Sequence, residues 1–477
     1  MQLRTKYMAF IKCLLLFICM QSCHAGDNKS AIITDSTISV QVQQNTLTDS
    51  FPAGKLITRI VCKADAGESY ALYIPAKNNG APLPVVYFFD PQGDGAGTLH
   101  RYTTLADRYG FILVASNNSK NGMEWPAEEH TWNCLWADTR ARLKADSARV
   151  YVAGFSGGAK AATYIAMQQP EIDAVIAGGA ILPDMLQERA LHFTFTAISG
   201  EGDLNRSELV AADNSLNNTA AKHCIIFFDG IHEWPPQKIM DMAFAGLQFD
   251  AMAKKIIPVD SLFINRYIGE SQQRIAVYEK ANNQLRAAAE CAVSIHMLAG
   301  LTNTAGWFTQ KDKEIKSSAA YQGQLAVAAG IQQREQQIKA VYQQQFQQGD
   351  KNYWEQTINE VMAKAKARGA EAAMYQRLKA FLSLAFYSIS NQCINNHQDI
   401  AAQHFVNLYK LVDYTNSEAW YFSAIVNARN NNAAQTKADL LKAISNGFSD
   451  KARLMQQTEF KQSDLEIDLD EITGKMK

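Results

Sequence analysis

The sequence predicts an α/β protein, a mostly parallel sheet with helices on both faces, followed by an all-helical region. Three observations predict it. Between residues 51 and 255, short β-branched and aromatic runs alternate with segments of helical period. The inner runs, such as VVYFFD and RVYVAGF, are apolar on both faces, as strands buried between helices must be. Beyond 255 the β-type runs stop, and apolar residues recur at three- and four-residue steps among Ala, Gln, Glu, Lys and Arg.

The N-terminus stands apart from both regions. Arg4 and Lys6 precede an apolar stretch of about a dozen residues, and QSCHAGD follows. This order predicts a secretory signal over 1–23, the apolar stretch being too short for a membrane span. Ser22-Cys23 resembles the lipobox of bacterial lipoproteins, which makes Cys23 the expected lipidation site, although Met20 replaces the usual leucine. Cys23-His24-Ala25 offers an alternative A-x-A-like cleavage site for plain secretion. Both endings predict export, as an outer-membrane or periplasmic lipoprotein or a freely secreted protein. Residues 24–50 are polar, without helical period, and read as a tether.

In 51–255 the expected strands are ITRIVCK, YALYIP, VVYFFD, FILVASNN, RVYVAGF, AVIAGGA, FTFTAISG and CIIFFDG. The first two, joined through ADAGES, are expected to form an antiparallel hairpin at one sheet edge. Residues 256–477 are expected to be a helical domain. Its stretch 416–444 resembles a tetratricopeptide repeat through Asn416, Ala419, Trp420, Tyr421, Ala424, Ala438, Leu441, Ala443 and Ile444, with Asn430-Asn431-Asn432 in place of the usual glycine turn.

Composition excludes several function classes. With 46 Lys and Arg against 47 Asp and Glu, the formal net charge is −1. No bulk field points to nucleic acid, and a membrane would be reached only through the lipid anchor. No P-loop, no basic run and no zinc-like Cys/His cluster occurs. Five cysteines lie beyond residue 23, namely Cys62, Cys134, Cys224, Cys291 and Cys393. An odd number leaves at least one free, and they read as small buried apolar residues.

Chemistry concentrates in Gly154-Phe155-Ser156-Gly157-Gly158. An expected strand precedes it and an expected helix follows, the setting in which a G-x-S-x-G turn lifts a serine out as a nucleophile. A serine hydroxyl needs a base, and the base needs a carboxylate to orient it. The strand FTFTAISG runs into Glu201-Gly202-Asp203, and CIIFFDG into Gly230-Ile231-His232-Glu233-Trp234-Pro235. Asp203 is therefore the expected orienter and His232 the expected base, with Glu201 and Asp229 as substitute acids. An oxyanion needs two N–H donors. Gly157 is expected to give one. The loop Asp90-Pro91-Gln92 gives the other, and Pro91 has no N–H, which leaves Gln92. Trp234 and Trp125 are candidates for contact with substrate, core packing being the competing role for each.

Through GFSGG around Ser156, the acid loop at Asp203 and His232-Glu233-Trp234-Pro235, residues 51–250 resemble secreted α/β-hydrolases of the polyhydroxybutyrate depolymerase and feruloyl esterase type. The resemblance implies an α/β-hydrolase sheet and hydrolysis of esters, plant- or polysaccharide-derived ones included, with neither a metal nor an organic cofactor. The loop Asp90-Pro91-Gln92 departs from that group's His-Gly opening. The sequence leaves two other readings open: a serine peptidase on the same triad, and a tetratricopeptide-like surface scaffold carrying an inactive hydrolase domain. The helical domain is expected to bind a protein partner, a polymer or the hydrolase face.

Overall fold

A computed structural model describes residues 51–477 except 79, 188, 189, 304, 463, 464, 466 and 477. The expected signal, Cys23 and the tether lie outside the described residues. Eight strands form one sheet: β1 (Leu56–Val61), β2 (Ser69–Tyr73), β3 (Leu83–Phe89), β4 (Ile112–Ser116), β5 (Ala145–Phe155), β6 (Ala174–Gly178), β7 (Thr194–Gly200) and β8 (His223–Phe228). Their order is β1-β2-β4-β3-β5-β6-β7-β8. β1 and β2 form the expected antiparallel hairpin at one edge, and β2 is antiparallel to β4. All pairs from β4 to β8 are parallel.

β3 shows why the sheet is buried on both faces. Val86 and Phe88 turn to one side, into a core shared with Phe244, Leu247 and Met297. Val85, Tyr87 and Phe89 turn to the other, against Trp132, Leu135 and Ile165. The helices that supply these partners alternate with the strands: α1 (Gly95–His100), α2 (Thr103–Tyr109), α3 (Trp125–Arg142), α4 (Gly157–Gln168), α5 (Arg206–Leu216) and α6 (Gln237–Ala253). The architecture is an eight-stranded, mostly parallel sheet with helices on both faces, followed by an all-helical region.

The change from strands to helices at 255 is not where the described chain divides into compact units. Residues 51–327 form one unit and 328–477 another. Helices α7 (Ser261–Lys280), α8 (Gln284–Met297) and α9 (Ala305–Ser317) belong to the first. The reason is packing. Ala287, Cys291, Val293 and Met297 of α8 join the core that holds Ile226 and Phe228 of β8. Helix α10 (Ala319–Gln348) crosses the division.

The second unit holds α11 (Lys351–Ala365), α12 (Ala370–Asn395), α13 (Asp399–Val412), α14 (Ser417–Arg429) and α15 (Ala433–Ser445), each packed on the next in the chain. Trp354, Leu378, Phe386, Val406 and Phe422 are buried in it. Asn416 caps α14, Asn431 turns with φ 55°, and Asn432 caps α15. A helical hairpin therefore stands where the repeat-like stretch was expected. Cys62, Cys134, Cys224, Cys291 and Cys393 are all buried and free. No helix among the described residues is long and apolar enough to cross a membrane.

Candidate active site

The central strand β5 delivers Phe155, and the chain reverses at Ser156 before α4 begins at Gly157. Ser156 adopts φ 53° and ψ −121°. A non-glycine residue held there costs on the order of 1–3 kcal/mol and persists only where its surroundings enforce it. They do so here. Ser156 N–H donates to Gly178 O at 2.8 Å, and Ser156 O accepts from Ala159 N at 3.0 Å. The flanking glycines are required by close approach. A Cβ on Gly154 would stand 2.1 Å from Gly158 O, and one on Gly158 would stand 1.9 Å from Phe89 O.

The structure brings Ser156, His232 and Asp203 together. Ser156 Oγ lies 3.0 Å from His232 Nε2, and His232 Nδ1 lies 3.0 Å from Asp203 Oδ1. An ionised carboxylate only accepts, so Nδ1–H donates to Asp203 and the Nε2 lone pair accepts from the Ser156 hydroxyl. Asp203 is 1% exposed, and its Oδ1 also takes Asn205 N–H at 2.8 Å. Phe155 packs against the imidazole, with ring centroids 4.6 Å apart. All three residues sit at or just past the C-terminal ends of parallel strands, where open α/β sheets bind ligands.

The substitute acids face elsewhere. Glu201 pairs with Arg206 at 2.8 Å and Asp229 with Arg286 at 3.3 Å. Arg286, on α8, also lies 3.5 Å from Glu201. One arginine thus touches both the loop that carries Asp203 and the loop that carries His232. A backbone bond from Gly202 N to Gly230 O, 2.8 Å long, joins the same two loops. A cavity of about 520 Å³ opens beside this arginine, lined by Phe227, Asp229, Arg274, Tyr278 and Glu290 among others, and none of the three relay residues lines it.

Gln92 departs from expectation. Its N–H donates to Asp90 Oδ1 at 2.8 Å, so in this conformation the amide is committed and does not face a substrate. The cause is Asp90, a buried carboxylate that gathers four donors: Gln92 N, Asp94 N at 3.2 Å, Thr98 Oγ1 at 3.3 Å and Trp234 Nε1 at 2.8 Å. Gly157 fits its expected place. It opens α4, where no helical carbonyl can satisfy its N–H. The exposed carboxamide of Asn121 lies against Gly157: a Cβ there would meet Asn121 Oδ1 at 1.7 Å. Asn121 N–H donates to Pro91 O at 2.9 Å, tying the loop after β4 to the loop after β3.

Trp234 packs on Phe155, Phe88 and Tyr102 at centroid distances of 5.6, 6.1 and 6.1 Å. Trp125 opens α3, 37% exposed, and stacks on Tyr164 of α4 at 4.6 Å. Sequence reasoning missed Asp90 as an organiser, Asn121 and Arg286. For Asn121 a signal existed, because its loop follows a parallel strand. For Arg286 none did.

One group outside this site could hold a metal. Asp65, His130 and Cys134 place one ligand atom each within 4.8 Å of one another. Asp65 lies far from the other two in the chain, so no sequence spacing announces the group.

This chain, with its sheet and the Ser–His–Asp relay at its strand ends, is similar in part to several known proteins. Feruloyl esterase B of Talaromyces stipitatus is 27% identical over 191 residues, which cover 34% of this chain and 48% of that protein. The chain thus spans about half the length of the curated relative it matches. No protein-family model matches. Among solved structures, an esterase from Pyrobaculum calidifontis is similar at TM-score 0.33 and 14% identity, over 43% of this chain and 87% of that one. An S-formylglutathione hydrolase from Agrobacterium tumefaciens is similar at TM-score 0.33 and 17% identity, over 41% and 93%.

Proposed function

We propose that this chain hydrolyses carboxylic esters through an acyl-enzyme on Ser156. The observation that carries the reading is the unbroken relay from Ser156 Oγ through His232 to buried Asp203, 3.0 Å at each step. Ser156 Oγ attacks the ester carbonyl carbon while His232 Nε2 takes its proton. The tetrahedral oxyanion collapses, the alcohol leaves with that proton, and water repeats the cycle to release the acid. Asp203 keeps Nδ1 protonated and balances the imidazolium. The Gly157 N–H is one oxyanion donor. The Asn121 carboxamide beside Gly157 presents its Oδ1 there; with the Gln92 amide committed to Asp90, the second role falls to Asn121 Nδ2 once that carboxamide turns over.

Feruloyl and related plant-derived aromatic esters are the substrate class to try first, supported by the feruloyl esterase relative and by Trp234 and Trp125 near the strand ends. The deciding experiment compares native chain and Ser156→Ala on methyl ferulate, nitrophenyl acetate and a short peptidyl amide, with fluorophosphonate labelling in parallel. Ester turnover and labelling confined to the native chain support the reading. Faster amide than ester cleavage favours a peptidase. Equal labelling of both proteins would sink the enzyme altogether and leave the scaffold reading.

We propose further that residues 1–23 direct export and that the helical region binds a protein partner. Export through 1–23 with a lipid on Cys23 is tested by labelled palmitate on native chain and Cys23→Ala. The tetratricopeptide-like reading of 416–444, with a protein partner for the helical region, is tested by cross-linking in the native cell envelope.

A further inference from the structure

We propose that Asp65, His130 and Cys134 form a binding site for a thiophilic divalent cation, zinc being the best fit. The site uses elements other than those that carry Ser156, Asp203 and His232. Asp65 sits in the turn between β1 and β2, while His130 and Cys134 stand one turn apart on α3. Residues four apart on a helix share a face, so the imidazole and the thiol emerge side by side.

The separations lie close to those a tetrahedral metal would impose. His130 Nε2 is 3.6 Å from Cys134 Sγ and 2.9 Å from Asp65 Oδ2. Zinc bonds of about 2.0 Å to nitrogen and about 2.3 Å to sulfur, at tetrahedral angles, separate those two atoms by roughly 3.5 Å. The nitrogen–oxygen pair would open by only a few tenths of an ångström to reach its tetrahedral spacing of roughly 3.3 Å. One imidazole nitrogen facing both a carboxylate and a thiol has a single hydrogen or lone pair to offer them. A cation at the common point satisfies all three.

The surroundings point the same way. Glu68, three residues after Asp65 in the same turn, lies near enough to Cys134, His130 and Asp65 to interact with each electrostatically. Its Oε1 accepts from Thr131 Oγ1 at 3.1 Å, whereas its Oε2 is buried with no hydrogen-bond partner. Glu128, on the same helix and 4% exposed, has an unpartnered buried Oε2 as well. Buried carboxylate oxygens without donors are costly and call for a positive charge nearby. Asp65 and His130 are half-exposed, so an ion can enter from solvent, while buried Cys134 forms the floor. On binding, the Cys134 S–H proton passes to solvent and the thiolate becomes the ligand.

Cobalt reports such a site without recourse to esterase activity. The full chain, stripped with chelator, is titrated with Co²⁺ and then with Zn²⁺. We expect one Co²⁺ per chain, a thiolate-to-cobalt charge-transfer band in the near ultraviolet, and its loss when Zn²⁺ is added. Cys134→Ser should abolish the band, and His130→Gln should weaken Co²⁺ binding at least tenfold. Asp65→Asn, in an exposed turn, tests the site without touching the helix and should weaken binding at least fivefold. Cys291→Ser should bind as the native chain does. The proposal is overturned by absence of the band from the folded native chain, or by a band that survives in Cys134→Ser. It is overturned equally if Asp65→Asn and His130→Gln, folded by circular dichroism, both bind Co²⁺ with native affinity.

Discussion

The indole N–H of Trp234 donates to Asp90 Oδ2 at 2.8 Å, and so fastens the loop that follows β8 to the loop that follows β3. Trp234→Phe keeps the ring on Phe155, Phe88 and Tyr102 but removes the donor. Leaving that buried carboxylate oxygen short of a partner should cost about 1–3 kcal/mol, measured by urea unfolding. Esterase turnover should fall with it, because His232 precedes Trp234 by two residues.

Asp203→Asn should lower kcat on the order of 10⁴-fold with little change in KM. The neutral amide can donate to Nδ1, which places the imidazole proton on Nε2 and removes the lone pair facing Ser156. Steady-state kinetics on a nitrophenyl ester would show it.

Asn121→Ala should lower kcat by about 10²–10³ while KM stays near native, as expected for a donor that acts on charge developed in the transition state. A rise in KM alone would make Asn121 a substrate contact rather than an oxyanion donor. Gln92→Ala, which keeps its backbone N–H and the bond to Asp90, should be nearly neutral.

Arg286→Ala releases Glu201 and Asp229 from their common partner. We expect kcat/KM to fall by up to about 10²-fold through misplacement of Asp203 relative to His232. Arg286→Lys should recover part of the loss, and folding monitored by circular dichroism should stay cooperative.

Burial works to raise the Glu459 carboxyl, yet hydrogen bonds from Gln457 and Arg429 prevail and hold it down at about 2 against an ordinary 4.5. A depressed folded pKa contributes stability above the unfolded value that is lost as pH falls toward the folded one. Glu459→Gln should therefore be less stable than the native chain at pH 6, and the gap should narrow at pH 3. Urea unfolding at the two pH values checks the sign.

Much of the fold was legible because its signals are local. Eight apolar runs became eight strands, since a sheet covered on both faces admits only such runs at its centre. Ser156, Asp203 and His232 were legible for a related reason: each follows closely on a strand's C-terminal end, and the parallel sheet brings strand ends together. What was not legible depends on side-chain geometry across the sheet. Pro91 pointed to Gln92 by elimination, but only the coordinates show that Asp90 captures the Gln92 amide. The pairing of Arg286 with Glu201 and Asp229 spans dozens of residues and carries no periodic signal. Asp65 joins His130 and Cys134 for the same reason, a hairpin turn laid beside a helix far along the chain.

The packing of α8 on β8 bears on how this protein can be trimmed. β8 is the outermost strand of the sheet, with β7 its one neighbour there. A chain cut at 255, where the strand grammar ends, would strip α8 from it and bare Ile226 and Phe228 beside an open strand edge. Such an edge invites sheet-to-sheet association and insoluble product. The shortest fragment with a prospect of staying in solution ends near 327, which makes α7, α8 and α9 part of the sheet's own shell rather than the start of an appendage.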